Sequence, residues 1–560
     1  MNISNDPRDE RRDYSAACAI FDIDAIAASF VGRLDAGINV CVACCDRHAA
    51  AGGTALDWEG VDGRRASMTF AELQVQSARF ANLLFARGIG AGDVVAALLP
   101  RTPALLIVAL GTWRAGAVYQ PLFTAFGSKA IEHRIAASGA KLIVTDAGNR
   151  PKLSEIDDLP AVAVSGPAAS GSPASDADLF AELDGQSDVF DPVPRRGDDP
   201  FIILFTSGTT GLPKGVQVPI RALCSFQIYM RDAMDLRPGD RFWNIADPGW
   251  AYGLYYAIIG PLLLGHATTF YEGSFTAEST YRIIAKHGIT NLAGSPTAFR
   301  LLIAAGSEAA AALKGRLRVV SSAGEPLNPE VIRWFAEHLD VVVHDQYGQT
   351  ETGMILGNHH GLAHPVSVGS AGFAMPGYRV AVLGDDGREQ PAGTPGALAV
   401  DIARSPLFWF TGYHGKLALA ASGGYYRTGD TVEMNLDGEV SFIGRADDVI
   451  TSSGYRIGPF DVESTLLEHA AVVEAAVVGK PDPERTELVK AFVVLAPDRI
   501  PEAGLAEELR EWVKHRLSAH AYPREIEFVT DLPKTPSGKL QRFLLRNQEI
   551  AKAQAQGPRE

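Results

Sequence analysis

The sequence predicts an α/β protein with one large lobe to about Arg445 and a smaller, lid-like lobe after it. Two observations lead to this prediction. Helix signals alternate with short apolar runs over most of the chain, which favours parallel strands joined by helical crossovers. Beyond Arg445 the character of the sequence changes, and a chain of 560 residues is long enough for more than one domain at about 150 residues per domain.

The first clear helix signal is a capping box formed by Thr69 and Glu72, whose side chains can satisfy each other's free backbone amides. Gly88 is a plausible end of that helix. Further strands are predicted at 94–99, 142–145, 201–205, 318–322, 341–344, 472–478 and 488–495. Residues 161–200 are rich in Ala, Ser, Gly, Asp and Pro, and we interpret them as a long surface connection.

The small lobe is predicted to contain an amphipathic helix at 503–519, a loop at 533–539 and a polar tail. The residues expected on the inward face of that helix are Leu505, Leu509, Trp512, Val513 and Leu517.

Composition and charge exclude several classes of protein. Hydrophobic residues make up 46% and charged residues 21%, which is typical of a globular fold. The net charge of −15 disfavours non-specific binding to nucleic acids or anionic membranes. The most apolar stretches, 103–110 and 255–264, are shorter than the ~20 residues of a membrane span. We therefore expect neither a nucleic-acid partner nor a membrane span.

The five cysteines indicate a reducing compartment. An odd count argues against a disulfide framework, and the polar N-terminus lacks the apolar core of a secretory signal, so we expect a cytoplasmic protein. Cys41, Cys44 and Cys45 form a cluster with His48 nearby. A structural zinc site needs about four ligands, usually in two pairs, so plain thiols are favoured over a metal site.

The strongest chemical signal is the run from Thr206 to Gly215, TSGTTGLPKG, directly after a predicted strand. Its three glycines allow close backbone approach to a ligand, and four hydroxyl side chains and Lys214 add donors for phosphate oxygens. The alternative is a flexible surface loop, which this density of donors disfavours. The run is not a Walker P-loop, because PKG stands where Gly-Lys-Ser/Thr would be required.

This run closely resembles the phosphate loop of the adenylate-forming superfamily: acyl-CoA synthetases, luciferases and the adenylation domains of peptide synthetases. Five further segments resemble that family's motifs in the expected order, namely AGEP at 323–326, DQYGQTET at 345–352, YRTGD at 426–430, GRADD at 444–448 and PKTPSGK at 533–539. Each segment alone has an ordinary explanation, such as a helix cap for Glu351, a turn for Asp430 or a surface charge for Lys539. Together and in order they are a specific signal.

The resemblance implies a fold and a reaction. The fold is a large multi-subdomain N-terminal domain over residues 1–445, with mixed β-sheets flanked by helices, and a small, mobile α+β C-terminal domain over residues 446–560. The hinge is near Asp447. The reaction joins a carboxylic acid to ATP, giving acyl-AMP and pyrophosphate, and then transfers the acyl group to coenzyme A with release of AMP.

The resemblance also implies roles for individual residues. It assigns catalysis to Lys539, Thr206 and Glu351, and Mg²⁺ binding to Glu351. It assigns ATP or AMP binding to Thr206, Ser207, Gly208, Thr209, Thr210, Gly211, Lys214, Gly324, Glu325, Pro326, Asp345, Gln346, Tyr347, Gly348, Gln349, Thr350, Asp430, Arg445 and Arg456. In that family Tyr347 would stack on adenine, Thr350 would contact the α-phosphate, and Asp430 would accept hydrogen bonds from the ribose.

These residue types suit the chemistry. A carboxylate attacking ATP brings two anions together, so the site must neutralise the triphosphate, which Lys214, the loop amides and a Mg²⁺ held by Glu351 could do. Lys539 can bridge the carboxylate and the α-phosphate, which aligns the attack. For the second step the resemblance implies that the lid presents Ser453, Gly454 and Tyr455 to coenzyme A, with Gly454 leaving room for the pantetheine arm.

Segments 347–353 and 452–464 most resemble medium-chain acyl-CoA synthetases, and segment 247–253 resembles the acyl-pocket strand there and in acetyl-CoA synthetases. Acetate enzymes carry tryptophan at the position of Gly348, so glycine should open the pocket to a medium-chain, branched or cyclic acid. The predicted pocket residues are Trp250, Ala251, Tyr252, Gly253, Ala323 and Gly348. For Trp250, simple core packing is the alternative.

Two other functions stay open at this point. One is an adenylating enzyme that loads the phosphopantetheine arm of a carrier protein. The other is a non-catalytic, nucleotide-binding relative that kept the fold. The sequence leaves open whether the protein is a monomer or a homodimer.

Overall fold

The computed structural model describes residues 11–166, 173, 176–206, 213–416, 423–452, 455–482, 485–497, 499–502, 504–518, 520–534 and 540–555. Within these ranges the α-helices are Tyr14–Ala19, Ile23–Ala27, Arg47–Ala49, Phe70–Ala86, Pro103–Arg114, Ser128–Ser138, Leu179–Asp184, Ala222–Ile228, Ala251–Gly253, Gly260–Leu263, Ala277–His287, Pro296–Ala304, Ser307–Ala310, Pro329–Leu339, Pro459–Leu467, Leu505–Arg516 and Arg542–Ala555. Short π-helical turns at Val42–Asp46, Tyr229–Ala233 and Leu254–Ile259 extend some of them, and 3₁₀ turns lie at Arg150–Leu153 and Ala311–Leu313.

Four larger sheets organise the described strands. Sheet A has seven strands, in the spatial order Ala177–Asp178, Ala161–Ser165, Leu142–Asp146, Val94–Leu98, Val118–Pro121, Pro200–Thr206 and Lys214–Pro219. Sheet B has nine, in the order Phe373–Ala374, Gly353–Gly357, Val343–Gln349, Val319–Ala323, Asn291–Gly294, Phe242–Asn244, Thr268–Tyr271, Thr54–Glu59 and Arg65–Thr69. Both are mixed sheets, with parallel centres and antiparallel pairs at their edges.

Two further sheets follow along the chain. Sheet C is antiparallel, in the order Val380–Leu383, Gly396–Asp401, Tyr425–Met434 and Val440–Arg445. Sheet D has the order Tyr455–Ile457, Ile450–Ser452, Thr486–Leu495 and Val472–Asp482, and Glu525–Phe528 pairs with Thr486–Leu495. Two-stranded pairs join Arg12–Asp13 to Leu362–Ala363 and Gly32–Arg33 to Gly37–Ile38. In the described part of the chain, the sheet strands that follow Arg445 all lie in sheet D.

Local signals place several elements as predicted. Thr69 and Glu72 form the reciprocal capping box at the start of helix Phe70–Ala86. Arg87 caps the C-terminus of that helix, and Gly88 follows with a φ of 70°, a left-handed conformation that glycine adopts readily. The helix buries Leu73, Phe80, Leu83 and Leu84 on the face predicted from their spacing.

The prediction of a surface connection at residues 161–200 is wrong in its first and middle parts. Ala161–Ser165 is a strand of sheet A, and Val162, Ala163 and Val164 are buried in it. Helix Leu179–Asp184 buries Leu179 and Leu183. The alternating Ala and Val residues at 161–164 are typical of a strand. The Ser, Gly and Pro residues that follow dominate the composition of the whole 161–200 segment, so the composition alone did not indicate this strand.

Segment 247–253 is a turn and the start of a helix, so its interpretation as an acyl-pocket strand is wrong. The neighbouring strand of sheet B ends at Asn244. Asp247 then accepts a hydrogen bond from the Gly249 amide at 2.8 Å, and a helix begins at Ala251 and continues through π and α turns to Leu263. The carboxylate of Asp247 favours this turn because it competes with the strand for backbone donors.

The small lobe differs from the prediction at two places. Helix Leu505–Arg516 buries Leu509 and Val513 and partly buries Leu505 and Trp512, but Leu517 lies beyond its end and is 37% exposed. The predicted polar tail contains helix Arg542–Ala555, in which Leu545 and Glu549 are buried. Glu549 is paired there with Lys490 at 2.9 Å, which compensates the burial of its charge.

The search for a membrane-spanning element found no described helix with the length and apolar character to cross a bilayer.

Candidate active site

The base of the predicted phosphate loop is fixed by sheet A. Thr206 ends one strand and Lys214 begins the next, and the two residues are antiparallel partners. The five loop residues predicted to bind phosphate, Ser207, Gly208, Thr209, Thr210 and Gly211, lie outside the described residues. Lys214 is half-buried, and its amino group lies 5.0 Å from the centre of the Tyr413 ring.

Sheet B brings the next two motifs together at its edge. Ala323 and Gln346 are partners on adjacent parallel strands, so the turn at Gly324, Glu325 and Pro326 lies beside the segment that begins at Gln346. Gly324 has a φ of 98°, which glycine adopts without steric cost. Glu325 accepts a hydrogen bond from the Thr297 hydroxyl at 2.8 Å, which fixes the turn to the start of helix Pro296–Ala304.

Asp345 stabilises this turn through hydrogen bonds to backbone amides. It is 8% exposed, and its carboxylate accepts hydrogen bonds from the backbone amides of Leu327 at 3.3 Å and Gln346 at 3.0 Å. Burial raises the pKa of Asp345 to about 8 in spite of those two hydrogen bonds. The structure therefore gives Asp345 a positioning role, whereas its predicted direct contact with nucleotide stays a prediction.

The pKa of Asp345 makes a measurable prediction. A carboxyl whose pKa is raised in the folded state contributes stability that is complete below about pH 4 and is lost as pH rises to about 8. Asp345→Asn cannot ionise, so the melting temperature of the variant minus that of the wild type should increase by several degrees, about 3 °C or more, between pH 5 and pH 9. Thermal melts of both proteins across this range test it, and a difference independent of pH would contradict it.

Three side chains converge on Asp430, which is 3% exposed on a central strand of sheet C. The hydroxyl of Tyr347 donates to Oδ2, Nε2 of Gln349 donates to the same oxygen at 3.1 Å, and Arg445 donates to Oδ1 at 3.2 Å. Burial acts to lower the pKa of Arg445, but Asp430 and Asp447 outweigh it and raise that pKa. The predicted adenine, ribose and hinge residues are therefore brought together.

Glu351 lies in the turn between strands Val343–Gln349 and Gly353–Gly357. The Tyr413 hydroxyl donates to its Oε1 at 2.8 Å, and the Tyr255 hydroxyl donates to the carbonyl of the adjacent Thr350 at 3.1 Å. The half-exposed carboxylate of Glu351 suits a hard cation bound to phosphates, because Mg²⁺ prefers oxygen ligands. Glu351 therefore fits its predicted role in metal binding.

The predicted acyl pocket has a polar side and an apolar side. Tyr252 is half-buried, and its hydroxyl lies 3.2 Å from that of Tyr229, which in turn donates to Oε1 of Gln346. A tyrosine hydroxyl has one proton to donate, and that of Tyr229 goes to Gln346. Tyr252 is therefore the donor in the hydrogen bond between the two tyrosines. Trp250 packs against Phe123 and Phe126, with ring centres 5.6 and 5.5 Å away, so at least part of it belongs to the core.

The other predicted pocket residues differ in burial. Ala323 and Gly253 are buried, whereas Ala251 and Gly348 are half-buried. A Cβ at Gly348 would lie 2.2 Å from the carbonyl oxygen of Gly353 on the paired strand. Glycine is therefore required here by the close approach of two strands, and a larger residue would force this hairpin to shift.

The lid residues are described only in part. Lys539, Ser453 and Gly454 lie outside the described residues, and the side chains of Tyr455 and Arg456 are not described. The ends of the Lys539 loop are held together by a bridge between Lys534 and Leu540 and by a hydrogen bond from the Gln541 amide to the Pro533 carbonyl at 2.9 Å.

Sequence reasoning missed Tyr413 and the pair formed by Glu463 and Arg542. Arg542, just after the Lys539 loop, donates to the buried Glu463 at 2.8 and 2.6 Å and so ties that loop to helix Pro459–Leu467. A charged residue among the apolar residues of helix Pro459–Leu467 is the sequence feature that could have indicated this pair. Tyr413 has no such signal, because its contacts come from segments far apart in the chain.

Comparisons with known proteins agree with this geometry. The model of the AMP-binding enzyme family matches residues 45–414, and that of the AMP-binding enzyme C-terminal domain matches residues 461–539. The acetyl-coenzyme A synthetase of Bacillus subtilis (strain 168) is 38% identical over 529 residues, covering 92% of this chain and 91% of its own. The mitochondrial acyl-coenzyme A synthetase ACSM3 of Mus musculus is 35% identical, with coverage of 88% and 86%. The crystal structure of the Brucella canis acyl-CoA synthetase is 61% identical, with a TM-score of 0.79, and covers 97% of this chain and 100% of its own.

The chain belongs to the AMP-binding enzyme family, which confirms the fold class and superfamily predicted from the motifs. Within this family it is an AMP-forming acyl-CoA synthetase: it forms an acyl-AMP and then the thioester of coenzyme A. ATP and coenzyme A are substrates of this reaction, and the predicted ligase activity is confirmed. The relatives include an acetyl-coenzyme A synthetase and an acyl-coenzyme A synthetase, so the acid itself is a separate question.

Proposed function

We propose that this synthetase activates a medium-chain, branched or cyclic carboxylic acid in preference to acetate. The glycine at position 348 supports this, because acetate enzymes of the resembled family carry an indole there; Trp250, Ala251, Tyr252 and Gly348 are each half-exposed. Gly348 also lies so close to Gly353 on the paired strand that a side chain at position 348 would force the hairpin to shift.

In the first half-reaction, the loop after Thr206 and the ammonium group of Lys214 would neutralise the triphosphate. Tyr347 would face the adenine, and Asp430, held by Arg445 and Gln349, would accept from the ribose. Glu351 would hold Mg²⁺, which supplies charge neutralisation to the phosphates when bound. Lys539 would bridge the acid and the α-phosphate, so that the carboxylate oxygen attacks and pyrophosphate leaves.

In the second half-reaction, the lid of residues 446–560 would turn about Asp447 and present Ser453, Gly454 and Tyr455 to coenzyme A. The end of strand Val440–Arg445 supports this domain boundary, because the sheet of the lid begins only at Ile450. Arg546 donates to the backbone carbonyl of Asp447 and to Asp448 at 3.0 Å. Arg546 and Asp448 both belong to the lid, so their contact would be kept as the lid turns about Asp447. The odd cysteine count supports a cytoplasmic location.

The observation that carries this proposal is the glycine at position 348, where a Cβ would lie 2.2 Å from the carbonyl oxygen of Gly353 on the paired strand. A panel of acids with ATP, Mg²⁺ and coenzyme A, with AMP and thioester as readouts, tests it. We expect kcat/KM for hexanoate or benzoate to exceed that for acetate by about tenfold or more, as one or more extra methylenes in an apolar pocket would give. Preference for acetate would contradict the open pocket.

A further inference from the structure

Tyr413 touches both groups that we assign to the triphosphate and its metal. Its hydroxyl donates to Oε1 of Glu351 at 2.8 Å, and the ammonium group of Lys214 lies 5.0 Å from its ring centre, within cation–π range. No predicted role involved this residue. It stands on the segment between sheet C strands Gly396–Asp401 and Tyr425–Met434.

Three contacts hold Tyr413 in position, two through the backbone and one through the ring. Its backbone bridges Val216, and the amide of the next residue, His414, donates to the Gly215 carbonyl at 2.8 Å. Its ring packs edge-on against the buried Phe410, with ring centres 5.1 Å apart. The strand that leaves the phosphate loop and the Glu351 turn are therefore connected through one side chain that has little freedom to move.

We propose that Tyr413 is a positioning residue that orients the Glu351 carboxylate for the metal of the metal–ATP complex. A hydrogen bond to Oε1 restricts rotation of the Glu351 carboxylate, and hydrogen bonds of this kind to metal-binding carboxylates raise metal affinity. The ring also lies within cation–π range of Lys214, so the residue that orients the metal ligand is next to a cation predicted to bind the triphosphate. This inference rests on the proposed role of Glu351.

The test is Tyr413→Phe in the full-length protein, which removes the hydroxyl and keeps the ring. Mn²⁺ serves as a paramagnetic probe, and its binding is measured by electron paramagnetic resonance with α,β-methylene-ATP present. We expect the Kd for Mn²⁺ to rise about tenfold. We also expect the Mg²⁺ concentration for half-maximal pyrophosphate exchange to rise similarly, with the rate largely restored at saturating Mg²⁺. Thioester formation from preformed acyl-AMP should be unchanged.

A matched control is Tyr425→Phe, which removes another tyrosine–carboxylate hydrogen bond, to Glu389, at an exposed place in sheet C. It should leave Mn²⁺ affinity unchanged. Glu351→Gln completes a double-mutant cycle. Because Tyr413 acts through Glu351, Tyr413→Phe should have no further effect in that background.

The outcomes separate this inference from the proposed function. If the wild type shows neither Mn²⁺ binding with the analogue nor pyrophosphate exchange, the proposed function fails. If the wild type shows both, and folded Tyr413→Phe binds Mn²⁺ as tightly, Tyr413 does not position Glu351. The inference would also be overturned if Tyr413→Phe lowered Mn²⁺ affinity equally in the wild-type and Glu351→Gln backgrounds. This comparison holds even if Tyr413→Phe lowers the melting temperature.

Discussion

Lys539→Ala is expected to slow acyl-AMP formation about a thousandfold while thioester formation from preformed acyl-AMP proceeds within about twofold of the wild-type rate. The ammonium group would be needed only while two anions are brought together, and loss of one preorganised donor to developing charge costs about a hundredfold to a thousandfold. Once acyl-AMP exists, the thiol attacks a neutral carbonyl carbon and this cation has no partner there. Carboxylate-dependent pyrophosphate exchange and single-turnover thioester formation measure the two steps separately.

The control for this variant is Lys552→Ala. Lys552 lies on helix Arg542–Ala555, where it pairs with Glu549 at 2.7 Å, and its side chain is half exposed. Lys552→Ala removes a lysine from the same part of the lid and leaves the Lys539 loop unchanged. Both half-reactions should therefore keep their rates. Equal loss of both half-reactions in Lys539→Ala would contradict the assigned role.

Asp430→Asn should impair both half-reactions. The substitution removes the charge that pairs with Arg445 and leaves an amide group facing one of the donors that converge there, from Tyr347, Gln349 or Arg445. A buried donor without an acceptor is costly, and the ribose is present in ATP and in acyl-AMP alike. We expect kcat/KM to fall about a hundredfold for ATP in the first step and for acyl-AMP in the second.

Asp401→Asn is the matched control for that change. Asp401 is a buried carboxylate on the adjacent strand of sheet C and accepts from Arg379 at 3.0 Å, away from the converging site residues. It should change stability without changing KM for ATP. A defect of Asp430→Asn confined to the first half-reaction would show that Asp430 does not hold the ribose.

Local chemistry explains what could be predicted from the sequence. The capping box at Thr69 and the glycine turn at Gly324 depend on a few neighbouring residues, so their sequence patterns are sufficient. The order of the motifs identified the superfamily, and several of the motifs lie at the end of a strand, as at Thr206, Ala323 and Arg445. The pairing of Ala323 with Gln346 then brings distant motifs together, as the resemblance implied.

Contacts between distant segments explain what could not be predicted. The resemblance predicts a nucleotide contact for Asp345, yet its carboxylate accepts a hydrogen bond from the Leu327 amide. This contact depends on the register of sheet B, which the sequence does not show. Gly348 was explained by a missing indole, whereas the structure adds the backbone of Gly353 opposite it. Tyr413 has no motif of its own, since its partners Lys214 and Glu351 belong to two different sheets.

The delivery of Lys539 to the bound nucleotide by the lid is the central claim. A crystal structure of the full chain with a non-hydrolysable ester analogue of the acyl-adenylate tests it most directly. We predict that Nζ of Lys539 lies about 3 Å from a phosphate or acyl oxygen of the analogue, at hydrogen-bond distance. A lid that keeps Lys539 far from the nucleotide, both in this complex and in one with ATP and the acid, would contradict the claim.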